Sequence, residues 1–154
     1  MIQFLEKLAP QTRVAVAAFN DTTHLVLPFT KIEGDPGKPA VQNAINRLTI
    51  TGGTAMYDAL LEADEIMQTA ENDRIRIIIL LSDGQDTASQ QPLQAVLSID
   101  RGETNPMFIF PVAYGSDADI GALNALARMS TTKVFSGEPE NIGALFELLS
   151  GIVS

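Results

Sequence analysis

Ile75-Arg76-Ile77-Ile78-Ile79-Leu80-Leu81-Ser82-Asp83-Gly84 is the stretch on which the fold turns. Ile75 to Leu81 is the most apolar run in the chain, and it has strand length. A run that is apolar throughout and lies between helices predicts a strand buried on both faces, as in the centre of a parallel sheet. Ser82, Asp83 and Gly84 close it. On its N-terminal side the spacing of Leu60, Ala63 and Met67 predicts a helix from about Ala55 to Glu71. On its C-terminal side Pro92 to Ile99 reads as a helix, with Pro92 suited to the first turn. Met107 to Tyr114 is a second apolar strand. Ser116 or Asp117 can cap a helix from Ile120 to Met129. Lys133 to Phe135 is a short strand and Ile142 to Val153 a last helix.

The first part of the chain has a different rhythm. Val14 to Phe19 and His24 to Phe29 are strand-length runs joined by the turn residues Asn20, Asp21, Thr22 and Thr23, which predicts an antiparallel hairpin. Glu33 to Pro39 carries Gly34, Pro36, Gly37 and Pro39 and reads as a loop. Val41, Ile45 and Leu48 mark a short helix. Ile2, Leu5 and Leu8 recur as in the last turns of an amphipathic helix that Pro10 ends, and no capping residue precedes Met1. Beyond the hairpin, strands and helices alternate. The expectation is a single α/β domain over residues 1–154. Its sheet is doubly wound and mostly parallel with one antiparallel edge strand, and helices cover both faces.

Composition bounds the function. The chain has 154 residues, 45% of them hydrophobic, which suits one domain with a substantial core. Ten Lys and Arg stand against 19 Asp and Glu, a formal net charge of −9. That balance argues against nucleic acid and anionic lipid as partners. The absence of cysteine removes disulfides, thiolate metal sites and cysteine nucleophiles. No apolar run approaches the roughly 20 residues of a membrane span, so this segment is not expected to insert in a membrane.

Ligands of open parallel sheets gather at the carboxyl ends of the strands. Two loops fall there. Asp83 follows the Ile75–Leu81 strand directly. Thr54 opens a helix after Gly52 and Gly53, which permit close backbone approach. A hydroxyl and a carboxylate are hard oxygen donors of the kind Mg²⁺ prefers. Each loop has an ordinary reading as well: Asp83 as a turn residue, Thr54 as a helix N-cap. Asp86 stands either as an acceptor behind the ligands or as a solvent-facing loop charge. Asp58 suits the first turn of its helix through the helix dipole. His24, the single histidine, reads as a surface residue of an edge strand.

Taken together the two loops resemble those of von Willebrand factor A (VWA) domains, with bacterial members closest. Thr51-Gly52-Gly53-Thr54-Ala55-Met56-Tyr57-Asp58-Ala59-Leu60 is similar to that family's Gly-Gly-Thr segment. Ile77-Ile78-Ile79-Leu80-Leu81-Ser82-Asp83-Gly84-Gln85-Asp86-Thr87 is similar to its apolar strand ending in Ser/Thr-Asp-Gly. Arg13 to Asn20 resembles its second strand, and Val112-Ala113-Tyr114-Gly115 its fifth. The resemblance implies a Rossmann-like α/β protein-recognition module with a metal-ion-dependent adhesion site (MIDAS). Thr54 and Asp83 would ligate Mg²⁺ or Mn²⁺ there, supported by Gly52, Gly53, Ser82, Gly84 and Asp86. An acidic side chain of a protein partner would complete the coordination.

The sequence departs from the family at one loop. No Asp-x-Ser-x-Ser motif occurs, and its place, with the first central strand and most of a helix, is expected before Met1. That is about 20 to 25 residues by ordinary element lengths. The chain therefore reads as an N-terminally truncated domain with a partial, weak metal site. Without the first strand, the Val14 and Ile77 strands would stand apart or pair directly. The alternatives are closure of the two strands, a strand from a partner, or a longer reading frame; a homo-oligomer covering the exposed strands is consistent with the second.

Three functions follow. The first is a non-catalytic, adhesion-type protein-binding module. The second is a metal-free structural or oligomerisation domain. The third is a phosphate-handling enzyme using the helix N-terminus after Gly52-Gly53. Against the enzyme, the chain has no Gly-x-x-x-x-Gly-Lys-Ser/Thr loop, no Gly-x-Gly-x-x-Gly and no Gly-x-Ser-x-Gly, and its lone histidine sits on a strand.

Overall fold

The structure, a computed structural model, describes residues 11–32, 34–47, 54–69, 75–82, 85–99, 107–138, 143–145 and 147–149. Strand β1 is Arg13–Phe19 and β2 is Thr23–Lys31. Asn20 closes their turn: its Oδ1 accepts from the Thr22 amide at 3.1 Å, and its own amide donates to the Thr22 carbonyl at 2.9 Å. The two strands pair antiparallel, with shifts of register around Val16. β2 is an edge strand with Leu25 and Val26 exposed.

Helix α1 covers Gly34–Asn46. The expected loop at Glu33–Pro39 is thus helical from Gly34 onward. Pro36 lies in the first turn, where its missing amide costs no internal hydrogen bond. Gly37 lets the helix start close against the end of β2. A Cβ there would run into the Lys31 carbonyl oxygen and the Ile32 main chain. Val41 and Ala44 are buried beneath it.

Helix α2 is Met56–Gln68, β3 is Arg76–Ser82, α3 is Leu93–Leu97 and β4 is Met107–Ala113. Helix α4 is Ile120–Met129 and β5 is Phe135–Ser136. Asp119, rather than Ser116 or Asp117, caps α4, its Oδ1 accepting from the Ala122 amide at 3.0 Å. The C-terminal helical residues 143–145 and 147–149 bury Leu145 and Leu149. Among the described residues no helix is long and apolar enough to cross a membrane.

β3, β4 and β5 form a parallel sheet in that order, with β3 and β4 in unbroken register from Arg76–Met107 to Ser82–Ala113. Side-chain alternation splits its core in two. Ile77, Ile79, Phe108, Phe110 and Val112 pack on one face with Val14 and Val16 of β1, α1 and the C-terminal helical residues. Ile78, Leu80, Met107 and Ile109 pack on the other face with α2, α3 and α4. Helices therefore cover both faces of a doubly wound α/β fold, and β2 is the antiparallel edge strand.

One expectation is corrected. Ile75–Leu81 was expected to be buried on both faces, yet Ile77, Ile78 and Ile79 are only partly buried. The enclosed strand is β4, where every residue but Phe108 is buried. The reason is topological: among the described residues β3 pairs with β4 alone, and the β1–β2 pair forms a separate sheet. Among the described residues β1 and β3 do not pair with each other.

A polar substitute for strand pairing completes β4. Ser130 is buried, and its Oγ accepts from the Ile109 amide at 3.0 Å, while the Thr132 hydroxyl donates to the Ile109 carbonyl at 2.6 Å. Two side chains after α4 thus satisfy main-chain groups that would otherwise be buried unpaired.

Candidate functional site

The carboxyl ends of β1 and β3 meet at the start of α2. Just past β1, the Asn20 carbonyl accepts from the Ala55 amide at 2.6 Å. Just past β3, the 85–91 segment folds over residues 54–58. The Thr54 amide donates to the Thr87 Oγ1 at 3.0 Å, and the Thr54 carbonyl accepts from the amides of Thr87 at 2.8 Å and Ala88 at 3.1 Å. Both strands thus deliver their carboxyl ends to this one place.

Two carboxylates lock the segments reciprocally. Asp86 Oδ2 accepts from the Tyr57 amide at 2.9 Å and from the Ser89 hydroxyl at 2.6 Å, and its Oδ1 accepts from the Ser89 amide at 3.0 Å. Asp58 Oδ2 accepts from the Gln90 amide at 2.8 Å and Oδ1 from the Gln91 amide at 3.0 Å. The Ser89 hydroxyl in turn accepts from the Asp58 amide at 3.0 Å. An α-helix leaves its first amides without internal partners. Here Ala55 holds the N-cap position and makes no side-chain cap. Asp86 supplies the cap from 29 residues away along the chain.

These bonds set the electrostatics. Burial raises the Asp86 carboxyl, but the hydrogen bonds from the Ser89 hydroxyl and from the Tyr57, Ser89 and Met56 amides outweigh it and hold the group below its ordinary value. Such bonds favour the charged form they serve. The Tyr57 hydroxyl is pushed up by burial first, then by the negative charges of Asp119 and Asp86.

Thr54 is half-buried at the head of α2, with both main-chain groups engaged as above. It is not the N-cap, since Ala55 holds that position. Among the described residues, no hydrogen bond engages its hydroxyl. Ser82 is buried at the end of β3, where its carbonyl accepts from the Tyr114 amide at 2.9 Å. Asp86 is not a solvent-facing charge; it is a structural acceptor. Gly52, Gly53, Asp83 and Gly84 lie outside the described residues. His24 is exposed, with its Nε2 3.0 Å from the Thr22 hydroxyl. Among the described residues there is no cluster of three or more His, Cys, Asp or Glu able to hold a metal.

Sequence reading missed the part played by Asp58, Thr87 and Ser89. The Asp86-x-x-Ser89 spacing is a local signal, since Asp commonly accepts from an amide a few residues on. Nothing local announces that the same carboxylate caps a helix that precedes it in the chain.

A doubly wound sheet whose strand-end loops converge on a helix N-terminus defines a class of α/β domains that gather ligands, where they bind them, at the carboxyl ends of the strands. The sequence model of the von Willebrand factor type A domain matches residues 1–147, and the chain belongs to that family. No curated protein matches it. Among solved structures it is similar to a von Willebrand factor type A protein from Catenulispora acidiphila, at 22% identity and a TM-score of 0.78. That match covers 97% of this chain and 35% of the other. It is also similar to proximal thread matrix protein 1 from the mussel byssus, solved with a zinc-occupied MIDAS motif, at 20% identity and a TM-score of 0.73, covering 99% and 38%. The von Willebrand domain of the type V pili tip protein Mfa5 from Porphyromonas gingivalis matches at 14% identity and a TM-score of 0.69, covering 99% and 85%. The chain spans a little over a third of the length of the first two.

Proposed function

We propose that this chain is a non-catalytic protein-binding module, in which the Thr54 hydroxyl and the Asp83 carboxylate hold a divalent cation for an acidic side chain of a protein partner. The observation that carries the reading is the state of Thr54. Its main chain is pinned from both sides by Thr87 and Ala88, while its hydroxyl takes part in no hydrogen bond among the described residues. A hydroxyl whose main chain is held in place on both sides suits ligation. A hydroxyl and a carboxylate make a hard oxygen donor set, which fits Mg²⁺ or Mn²⁺. When bound, the cation supplies a Lewis-acidic position open to a carboxylate oxygen.

The chain's own residues do the positioning. Glycine at positions 52 and 53 suits close backbone approach, and Ser82 and Gly84 are the neighbours of Asp83 in the sequence. Asp86 and Asp58 tie residues 54–58 to the 86–91 segment beyond β3 in one hydrogen-bonded unit. The mussel protein with its zinc-occupied motif supports this reading by likeness of fold. Phosphoryl transfer is disfavoured, because Asp86, the second acid it would require, already accepts three hydrogen bonds.

Calorimetric titration with Mn²⁺ and Mg²⁺ at low ionic strength tests the proposal. The expected result is weak, saturable one-to-one binding that falls at least about tenfold, roughly 1.4 kcal/mol, in Thr54→Ala and Asp83→Ala. Unchanged affinity in Asp83→Ala would remove that residue from the site. Absence of binding in the parent chain would favour the metal-free assembly domain.

A further inference from the structure

We propose that Thr87 is a positioning residue of the candidate cation site, its hydroxyl fixing the direction in which Thr54 presents its own. The role rests on Thr54 acting as a ligand, as proposed above. Thr54 lies two residues before Met56, the first residue of α2, so the helix does not set its dihedral angles. Gly52 and Gly53 precede it in the sequence, and glycine resists backbone rotation least. The direction of the Thr54 side chain therefore has to be set by bonds to other segments.

Two planar peptide units meet at the Thr54 Cα, and only the rotations on either side of that atom are soft. The later unit, between Thr54 and Ala55, is held at both ends. Its carbonyl accepts from the amides of Thr87 at 2.8 Å and Ala88 at 3.1 Å, and its amide donates to the Asn20 carbonyl at 2.6 Å. With that unit fixed, rotation about the Cα–C bond carries the Thr54 nitrogen and its Cβ together. A bond that pins the nitrogen thus pins Cβ as well. That bond is the one from the Thr54 amide to Thr87 Oγ1, at 3.0 Å.

The bonds around Thr54 are not equivalent. Those at its carbonyl come from main-chain amides, which every residue but proline supplies. The bond at its amide needs a hydroxyl on the side chain of residue 87. This is the part of the contact that the identity of residue 87 decides, and it is the part that aims Cβ. Asp86 and Ser89, bonded to each other and to the amides of Tyr57 and Asp58, hold the 86–89 segment against α2 and so keep Thr87 in reach.

The test compares the full chain with Thr87→Val, which keeps the shape and removes the hydroxyl, and with Thr87→Ser, which keeps the hydroxyl. Thr87 is exposed, so neither change disturbs a core. Calorimetric titration with Mg²⁺ should show affinity about tenfold lower in Thr87→Val, the usual scale for losing a group that orients a metal ligand. Thr87→Ser should restore it. In the metal-free chain, hydrogen exchange at the Thr54 amide should be faster in Thr87→Val than in the parent or Thr87→Ser. Exchange at the Gln90 and Gln91 amides, which bond Asp58, should stay the same, marking the change as local. Parent-like Mg²⁺ affinity in Thr87→Val, or loss of affinity that Thr87→Ser does not restore, overturns the role given to Thr87. If Asp83→Ala loses the cation while Thr87→Val keeps it, the cation site stands and the positioning role alone falls. A parent chain that binds no Mg²⁺ removes both.

Discussion

The Tyr57 amide, in the first turn of α2, donates to Oδ2 of Asp86, in the loop beyond β3, at 2.9 Å. This contact joins the head of one element to the exit of another. Capping by an acidic side chain is ordinary helix chemistry. What is particular is that the cap comes from the other candidate site loop, so helix stability and loop placement rest on one carboxylate.

Asp86→Ala is therefore expected to destabilise the fold by about 1–2 kcal/mol, the usual scale for a lost cap. Asp86→Asn keeps an acceptor and should cost less. Urea denaturation of the two variants beside the parent chain measures both. Parent-like stability in Asp86→Ala would mean that the cap is redundant.

The same carboxylate sets a pH dependence. Its folded-state pKa lies below the ordinary carboxylate value because of the Ser89, Tyr57 and Met56 bonds. A depressed carboxyl contributes stability above its unfolded pKa and loses that contribution as pH falls through its folded pKa. Stability should thus decline below about pH 4, the ordinary carboxylate value. The decline should be shallower in Asp86→Asn, as followed by urea midpoints from pH 6 downward. Tyr57 acts at the other extreme. Its raised pKa means that its contribution is present below the ordinary phenol value and is lost at higher pH.

Ser130→Ala should cost about 1–3 kcal/mol, because it leaves the Ile109 amide buried without its acceptor. A matching urea series would show the loss as a lower midpoint with an unchanged slope.

Two glycines separate packing from propensity. Gly37→Ala places a methyl against the Lys31 carbonyl and the Ile32 main chain, which cannot swing aside, and should destabilise by about 1–3 kcal/mol. Gly143→Ala meets nothing within 4 Å at a helical position and should stabilise by up to about 1 kcal/mol. Thermal melts of the pair check opposite signs.

Much of the architecture was legible along the chain. The turn at Asn20–Thr23 announced the hairpin, the 3.6-residue spacing of Leu60, Ala63 and Met67 announced α2, and α4 fell at Ile120–Met129 as expected. These are local signals: a turn or a helical stripe is specified by residues within one or two turns of each other. The start of α1 was misread because proline and glycine suggest a loop, whereas contact with β2 makes Gly37 a requirement of close approach. The two candidate loops were found by their residue types and by resemblance. The bonds that hold them together were not found. They link Thr54 to Thr87 and Asp58 to Gln91, pairs 33 residues apart, and a pairing at that separation depends on the path the chain takes between them. The burial of β3 was overestimated for a related cause. Its residues are apolar enough for a sheet centre, but how deeply a strand is buried depends on which strands lie beside it. The alternation of side chains along the chain determined that β3 has two apolar faces. The arrangement of the two sheets decided that β3 pairs with β4 alone among the described strands, because hydrogen-bonded neighbours are a property of the assembled layer and not of any one strand.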